Sequence, residues 1–416
     1  MISLMKSRGI MRPGVTGYVY FILLFIFASQ SISLFRAYPP HPPCGQTVKI
    51  AKMFEILVNC DSAQFMKDAD SPERLINGKS DYADRPMFAY SAGAFAKLIM
   101  AIGVRDHRRE VLGSSGSIYS YSYITFAVYI IFNLLILFWA ALLTIIPLHL
   151  KMEKLGISKL KSTLILLAML FLLCSNEITK TFFWTPHSQI FNLLLASSAF
   201  YLLSTFDKIR TNRGYILINC IIGFGLFFYP VVGLLYFATL NYKFYDFRHR
   251  LFIATASLLP YIMYPRVLDF LGLDYKNSAI SKFREFVWPI DGLNSKEKIA
   301  FFGNKLWHVF SSFPMIPTFI ILITLISILI KFKGEFFTRK EILIIYFAAL
   351  YLLYIIGIGL GERRISLGLI VFIGIALLNY ICEWKELVGS RFVIGILFFL
   401  IIFEAFSWVF TSGPQY

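Results

Sequence analysis

Between residues 61 and 85 the chain carries Asp61, Asp68, Asp70, Glu73, Asp81, Asp84 and Arg85, closing on an Arg85-Pro86 step. A carboxylate in such a loop can take a proton from a hydroxyl, the elementary act of general-base catalysis. Asp68 and Asp70 have the Asp-x-Asp spacing that can hold a divalent cation through hard oxygen ligands. The same spacing also arises in any solvated acidic loop. Far along the chain, Gly361-Glu362-Arg363-Arg364 is squeezed between two apolar runs. Guanidinium groups there can pair with phosphate oxygens, or snorkel from a helix end to an interface. Glu177 stands in a short polar gap where an acid could line a cavity. His187, in Trp184-Thr185-Pro186-His187-Ser188-Gln189, precedes another apolar run and reads from spacing alone as a packing or hydrogen-bonding residue. No cysteine–histidine group has zinc spacing, and there is no Gly-rich phosphate loop.

The elements that must position these residues are apolar helices. Hydrophobic residues make up 57% of the chain and charged residues 15%, against about 45–50% and about 25% in soluble domains. Uncharged runs such as Phe319–Ile330, Ile342–Leu360 and Ile365–Ile381 approach or reach the roughly 20 residues that a membrane span needs. The reading is an all-α polytopic membrane protein, one transmembrane domain over residues 1–416 with about ten or eleven spans. Their approximate positions are 14–35, 119–148, 161–175, 187–206, 214–228, 229–242, 251–265, 313–331, 341–360, 365–382 and 392–411. The first of these, preceded by Lys6, Arg8 and Arg12 and followed by no small-residue cleavage site, reads as a retained signal anchor.

The net charge of +16 forms no stripe or tail, so nucleic acid is not the expected partner. Many basic residues sit instead in short gaps, as the positive-inside rule requires of cytoplasmic loops. Lys151, Lys154 and Lys159 occupy one gap, Lys208, Arg210 and Arg213 the next, then Lys243, Arg248 and Arg250, then Lys331, Lys333, Arg339 and Lys340. These loops share a side only if residues 214–242 cross twice. Gly223, Gly225 and Pro230 allow two short or broken helices there, because proline inside a helix removes a hydrogen bond and kinks it. Two long polar segments, 36–118 and 266–312, then fall outside the cytoplasm. The first is expected to carry surface helices near Lys49–Val58 and Arg85–Val104. It also holds Cys44 and Cys60, which could bridge in an oxidising compartment.

Within this first outer loop the sequence resembles a known family. Asn59-Cys60-Asp61-Ser62-Ala63-Gln64-Phe65, Ala69, Leu75-Ile76-Asn77-Gly78, Tyr82 and Arg85-Pro86-Met87-Phe88-Ala89-Tyr90 resemble the first-loop signature of GT-C glycosyltransferases. That superfamily includes the protein O-mannosyltransferases and the lipid A aminoarabinose transferases. Trp184–Gln189, with Ala199-Phe200-Tyr201-Leu202-Leu203 beyond it, resembles the family's second outer loop and following helix. Gly361–Leu367 resembles its late arginine segment. Ile365 and Met87 depart from the family pattern, standing where Tyr and a second Pro are usual.

The resemblance implies an enzyme that moves a hexose or pentose from a polyprenyl-phosphate donor to a hydroxyl on a glycan, lipid or protein acceptor. It implies a GT-C-like fold, extracytoplasmic chemistry at a bacterial inner membrane, inversion at the sugar, and no obligatory cofactor. Asp61 would be the base, with Glu177 and Asp84 as further acids. Arg85, Tyr82 and His187 would bind substrate, and Arg363 and Arg364 would hold the donor phosphate. Two other readings stay open: a polysaccharide polymerase or ligase using lipid-diphosphate-linked glycans, and a transporter or flippase, in which broken helices meet near the midplane.

Overall fold

The computed structural model describes residues 13–33, 46–51, 54–58, 60–77, 79–80, 82–112, 118–174, 179, 182–205, 211–242, 246–273, 294–311, 339–357 and 363–383. They are mostly helical. Helix α1 is Pro13–Ser33. Next come α2, Cys60–Asp70, and α3, Pro86–Ala101. Helices α4, Tyr123–Lys154, α5, Lys159–Cys174, and α6, Phe191–Thr205, follow. The chain continues through α7, Asn212–Leu226, α8, Leu235–Leu240, and α9, Phe247–Phe270. The last described helices are α10, Ser295–Ser311, α11, Arg339–Gly357, and α12, Arg363–Glu383. Expected spans 313–331 and 392–411 lie outside the described residues, as do Glu177, Cys44 and residues 274–293. The side chain of Cys60 is also outside them, so the expected bridge is not addressed.

Helix α4 is the axis of the bundle. It packs against α1, α3, α5 and α6, and α6 in turn packs against α12. Its start is capped by Ser122, whose Oγ accepts from the Thr125 amide at 3.1 Å and donates to Asp106 at 2.8 Å. Helices α4 and α6 pack together and carry the buried small residues Ala140, Ala141, Ala196 and Ala199, a type that lets helices approach closely. The interior also holds polar side chains, Asn133, Thr144, Ser197, Asn219 and Thr239 among them. The outward faces of α1, α7 and α9 instead expose Leu24, Phe27, Leu217, Ile221, Phe252 and Ile262. Two described helices, Tyr123–Lys154 and Phe247–Phe270, are long and apolar enough to cross a membrane by length and composition.

The two ends of the bundle differ chemically. At the start of α4, Thr125 donates to Asp70 at 2.8 Å. Near its far end, Lys151 donates to the Asn379 side chain of α12 at 2.9 Å. At 1.5 Å per residue these positions are about 40 Å apart. Lys154 and Lys159 lie on the Lys151 side by chain connection. Tyr242 donates to the Leu202 carbonyl at the end of α6, and Arg250 donates to the carbonyls of Leu240 and Tyr242. One end therefore carries Lys151, Lys154, Lys159 and Arg250, and the other the carboxylates of the first loop.

Residues 212–242 double back, as charge parity requires. Helix α7 stops at Leu226, a 3₁₀ turn runs over Pro230–Leu234, and α8 returns. Tyr215 donates to the Thr239 carbonyl at 3.3 Å and Thr239 donates to Asn219 at 3.1 Å, so entrance and exit lie side by side. Proline at the first position of the return turn needs no amide partner, and Gly225 sits close against Val232 where a larger residue would push the limbs apart.

The first loop is not purely helical. Gln46–Ala51 pairs antiparallel with Phe54–Val58, and Arg108–Leu112 with Ile118–Ser122. The surface helix expected over Lys49–Val58 is thus a hairpin. Val48, Ile50, Ile56 and Val58 are β-branched, a type that favours strands over short helices. Helix α3 does form as expected and rests on α2. Their contact depends on Gly93, where a Cβ would run into the backbone carbonyl of Ala69. Gly93→Ala is therefore expected to destabilise the protein by about 1–3 kcal/mol, the usual cost of overpacking. Gly17→Ala, in open surroundings on α1, should be close to neutral. Thermal unfolding of both variants in detergent checks the pair.

Candidate functional site

Helix α2 begins at Cys60, so Asp61 lies in its first turn, where a carboxylate complements the helix dipole. Its side chain is 40% exposed, and its Oδ2 lies 3.1 Å from His187 Nε2. His187 is 3% exposed, lying between the rings of Phe182 and Phe65 at centroid distances of 4.5 and 5.6 Å. Its other nitrogen, Nδ1, accepts the Gln189 amide at 3.1 Å. A nitrogen that accepts an N–H cannot carry a proton, so the hydrogen bonds assign the proton to Nε2. His187 therefore donates to Asp61, a charge-assisted hydrogen bond.

The segment bearing His187 is held from below. Asn133 of α4 donates its amide to the carbonyls of Phe182, Phe183 and Thr185 at 2.9, 3.0 and 2.9 Å. The Trp184 indole donates to the Gln30 carbonyl of α1 at 2.9 Å. Beyond His187 the chain makes one 3₁₀ turn, Ser188–Ile190, and enters α6.

Arg85 makes the second tie between the two loops. Its guanidinium donates to Ser188 Oγ at 2.7 Å and lies 4.9 Å from the Tyr82 ring centroid. Tyr82 stacks on Phe65 at 4.1 Å and 5°. Asp84 Oδ1 lies 3.5 Å from Arg85 Nε, with side-chain exposures of 5% and 14%. The pair is close without an aligned hydrogen bond, and both atoms are buried. Burial alone would pull the Arg85 guanidinium down; the Asp84 carboxylate, with Tyr82 and Tyr229, outweighs it and holds the group above its ordinary value. Arg85 and Tyr82, expected to bind substrate, thus brace the wall of the site. Asp84 is turned inward as the counter-ion of Arg85, and its backbone carbonyl accepts from Tyr261 of α9 at 3.2 Å.

Asp68 and Asp70 do not act as a pair. Asp68 is fully buried and accepts from Gln64 and Arg74 at 3.1 Å each, and from Ser80. Asp70 faces Thr125. Among the described residues no group of three or more His, Cys, Asp or Glu could hold a metal ion. The Asp-x-Asp spacing here closes the loop on itself and anchors it to α4.

A buried polar cluster continues the site downward. Asn192 donates to Gln189 at 2.8 Å and accepts from Tyr229 at 2.9 Å and Tyr351 at 3.3 Å. Gly368 of α12 packs on this cluster, since a Cβ there would meet Tyr351 Oη and Asn192. Arg363 and Arg364 open α12 five and four residues earlier, about 6–8 Å along the axis. With Asn379 at the Lys151 end, α12 must begin at the Asp61 end. The side chains of Arg363 and Arg364 lie outside the described residues. Ser188, Gln189, Asn133 and Tyr229 were not singled out from sequence. Asn133 could have been, as an amide inside an apolar run, where a polar group is expensive. No family model, curated protein or solved structure matches this chain.

Burial holds Asp68 above its ordinary carboxylate value, the desolvation outweighing the bonds from Ser80, Arg74 and Gln64. The folded protein thus binds this proton more tightly than the unfolded chain. The sign follows: this group's contribution is most favourable in acid and declines as pH rises through the raised value. Relative to Asp68→Asn, the parent should gain melting temperature as the pH falls from about 7 toward about 4. Asp68→Ala should cost about 1–3 kcal/mol by stranding Arg74 and Ser80, with faster proteolysis between residues 71 and 85.

Proposed function

We propose that the chain is a multi-pass integral membrane glycosyltransferase of GT-C type. It would transfer a sugar from a polyprenyl-phosphate donor to a hydroxyl acceptor on the face opposite its basic loops. The observation that carries this reading is the partly exposed Asp61 carboxylate, 3.1 Å from buried His187 at the end of the bundle where α12 opens with Arg363 and Arg364. The polarity of the molecule supports a membrane setting: amides and hydroxyls are inside, large apolar side chains outside. That arrangement suits a hydrocarbon solvent, in which polar groups must be satisfied internally.

In the reaction the acceptor oxygen attacks the anomeric carbon as the bond from that carbon to the phosphate oxygen breaks. The acceptor proton passes to Asp61, and the electron pair leaves with the lipid phosphate. Phosphate is a good leaving group, so a second carboxylic acid is not required, unlike in glycoside hydrolysis. Arg363 and Arg364 would take up the developing phosphate charge. The base would act at the protein–water boundary, where the 40% exposure of Asp61 leaves room for an acceptor.

The break in residues 212–242 bears on the transport alternative. Phe227, at the tip of this hairpin, accepts the Met87 amide at 3.0 Å, and its ring packs edge-on against Tyr261 at 5.3 Å. The tip therefore buttresses the first loop. A transporter would use such a break to form an ion or substrate site near the midplane, and this one is committed to holding the Arg85–Pro86 corner.

The test is transfer to endogenous acceptors in membranes carrying equal amounts of each variant. The donors are radiolabelled polyprenyl-phosphate glucose, mannose and arabinose. Asp61→Asn is expected to lower transfer by about 10²–10⁴-fold, as loss of a general base does, while still retaining the donor. Arg363→Ala and Arg364→Ala should weaken donor binding, because the phosphate loses a charge-assisted partner. Transfer of none of the three sugars by the parent, or parental transfer by Asp61→Asn, would overturn the reading.

A further inference from the structure

His187 is foremost among the groups that are buried, chemically competent and given no role in the reaction above. Its two nitrogens face opposite tasks: Nε2 meets the Asp61 carboxylate at 3.1 Å, and Nδ1 meets the backbone amide of Gln189 at 3.1 Å. The ring is nearly sealed from solvent and wedged between Phe182 and Phe65. It cannot rotate about its axis without giving up the Gln189 bond. It also sits one residue from Ser188, which anchors Arg85, so its backbone is pinned as well.

We propose that His187 is a positioning residue for Asp61: a fixed N–H donor that sets the plane of the carboxylate beside the acceptor. This rests on the reading of Asp61 as the base. A general base must present a lone pair within hydrogen-bond reach of the proton it removes. The last torsion of a carboxylate is intrinsically broad, and an N–H held in place by burial narrows it from the His187 side. The backbone amide of Gln189 has a separate effect: it fixes the tautomer. A proton on Nδ1 would face the Gln189 N–H, donor against donor, so His187 is held as the Nε2–H form. The role differs from that of a histidine acting as the base itself, because Nε2 is occupied by its own proton and Nδ1 by a backbone amide. It also differs from substrate binding, since the ring has almost no solvent-facing surface. The two aromatic neighbours supply rigidity, Phe65 from α2 and Phe182 from the loop that Asn133 fixes.

Two substitutions separate orientation from loop structure. A glutamine side chain reaches about as far as Nε2 and can keep a donor on Asp61. An asparagine side chain reaches only about as far as Nδ1, so it can serve the Gln189 amide but not Asp61. His187→Asn is therefore expected to lower kcat by about 10²-fold, the scale of a roughly 1 Å misplacement of a reacting group. KM for the donor should change little. His187→Gln should stay within about tenfold of the parent, a tolerance well inside that loss.

The second measurement needs no turnover. Long-range proton–nitrogen correlation spectra of the ¹⁵N-histidine-labelled protein in detergent report the tautomer, with the His187 signal assigned as the one lost in His187→Asn. The expected spectrum is that of an Nε2–H imidazole. An Nδ1–H imidazole, or equal losses in the Gln and Asn variants, would overturn the proposal. So would His187→Asn turning over at the parental rate while Asp61→Asn is inactive, in which case the assignment of Asp61 as base survives. Parental activity in Asp61→Asn would remove both.

Discussion

His187 and Ser188 are neighbours in the chain, and they grip two residues of another loop: His187 holds Asp61, and Ser188 holds Arg85. These two ties join the first loop to the segment that enters α6. Much else in the structure can be read as keeping that junction in place. A junction made from polar groups in a mostly apolar molecule has an electrostatic condition. Each buried donor or charge must find a partner, since an unpaired one costs far more than a paired one returns. Arg85 meets the condition with Asp84, Ser188 and the faces of Tyr82 and Phe65. Guanidinium stacking on aromatic faces adds attraction without adding a second anion. The residual cost appears in the imperfect alignment of Arg85 Nε and Asp84 Oδ1.

The same condition explains why the first loop folds as it does. Fully buried Asp68 acts as its organising acceptor, drawing in Gln64 from its own helix, Arg74 from the following 3₁₀ turn and Ser80 beyond it. Ser80 also accepts the Tyr82 amide at 3.0 Å. That bond places Tyr82 against Phe65 and so builds the surface on which Arg85 rests. Asp70 performs the corresponding task outward, fastening the end of α2 to the first turn of α4. Three acids of this segment, Asp68, Asp70 and Asp84, are thus taken up by its own architecture, while Asp61 beside His187 keeps a side chain 40% exposed.

The sequence made some of this legible and concealed the rest, for physical reasons. Helices α4, α5, α6, α11 and α12 fall close to the expected apolar runs; in the membrane setting proposed above, a long uncharged segment has few other ways to satisfy its backbone. The doubling back of residues 212–242 was readable from Gly223, Gly225, Pro230 and the basic residues around it. The hairpin over Gln46–Val58 was not. Lys49, Lys52 and Glu55 at every third position imitate a helical period, while the strand preference resides in the β-branched residues between them. Neither the pairing of Asp61 with His187 nor the burial of Arg85 and Asp84 was readable. Burial depends on what packs above a residue, here Tyr261 and the Phe227 carbonyl region, more than a hundred positions away. Local sequence carries no record of such a neighbour.

Distance along the chain is also what makes the placement of α12 informative. Gly368 lies against Asn192 and Tyr351, and those side chains bond onward to Gln189 and Tyr229. Gln189 is the same residue whose amide fixes the tautomer of His187. Any movement of α12 relative to α6 would therefore be felt, through a chain of short hydrogen bonds, at the ring that orients Asp61. A reaction that needs a base on one side of a sugar and a cation on the other is sensitive to the separation between them, and a misplacement of about 1 Å can cost about 10²-fold. Helices hold such separations better than loops do. In the proposed reaction the base, Asp61, would act from the first turn of α2 and the arginine pair from the first turn of α12. The span between them is set by packed side chains across α6, where Gly368 leaves room for the Tyr351 hydroxyl and Asn192.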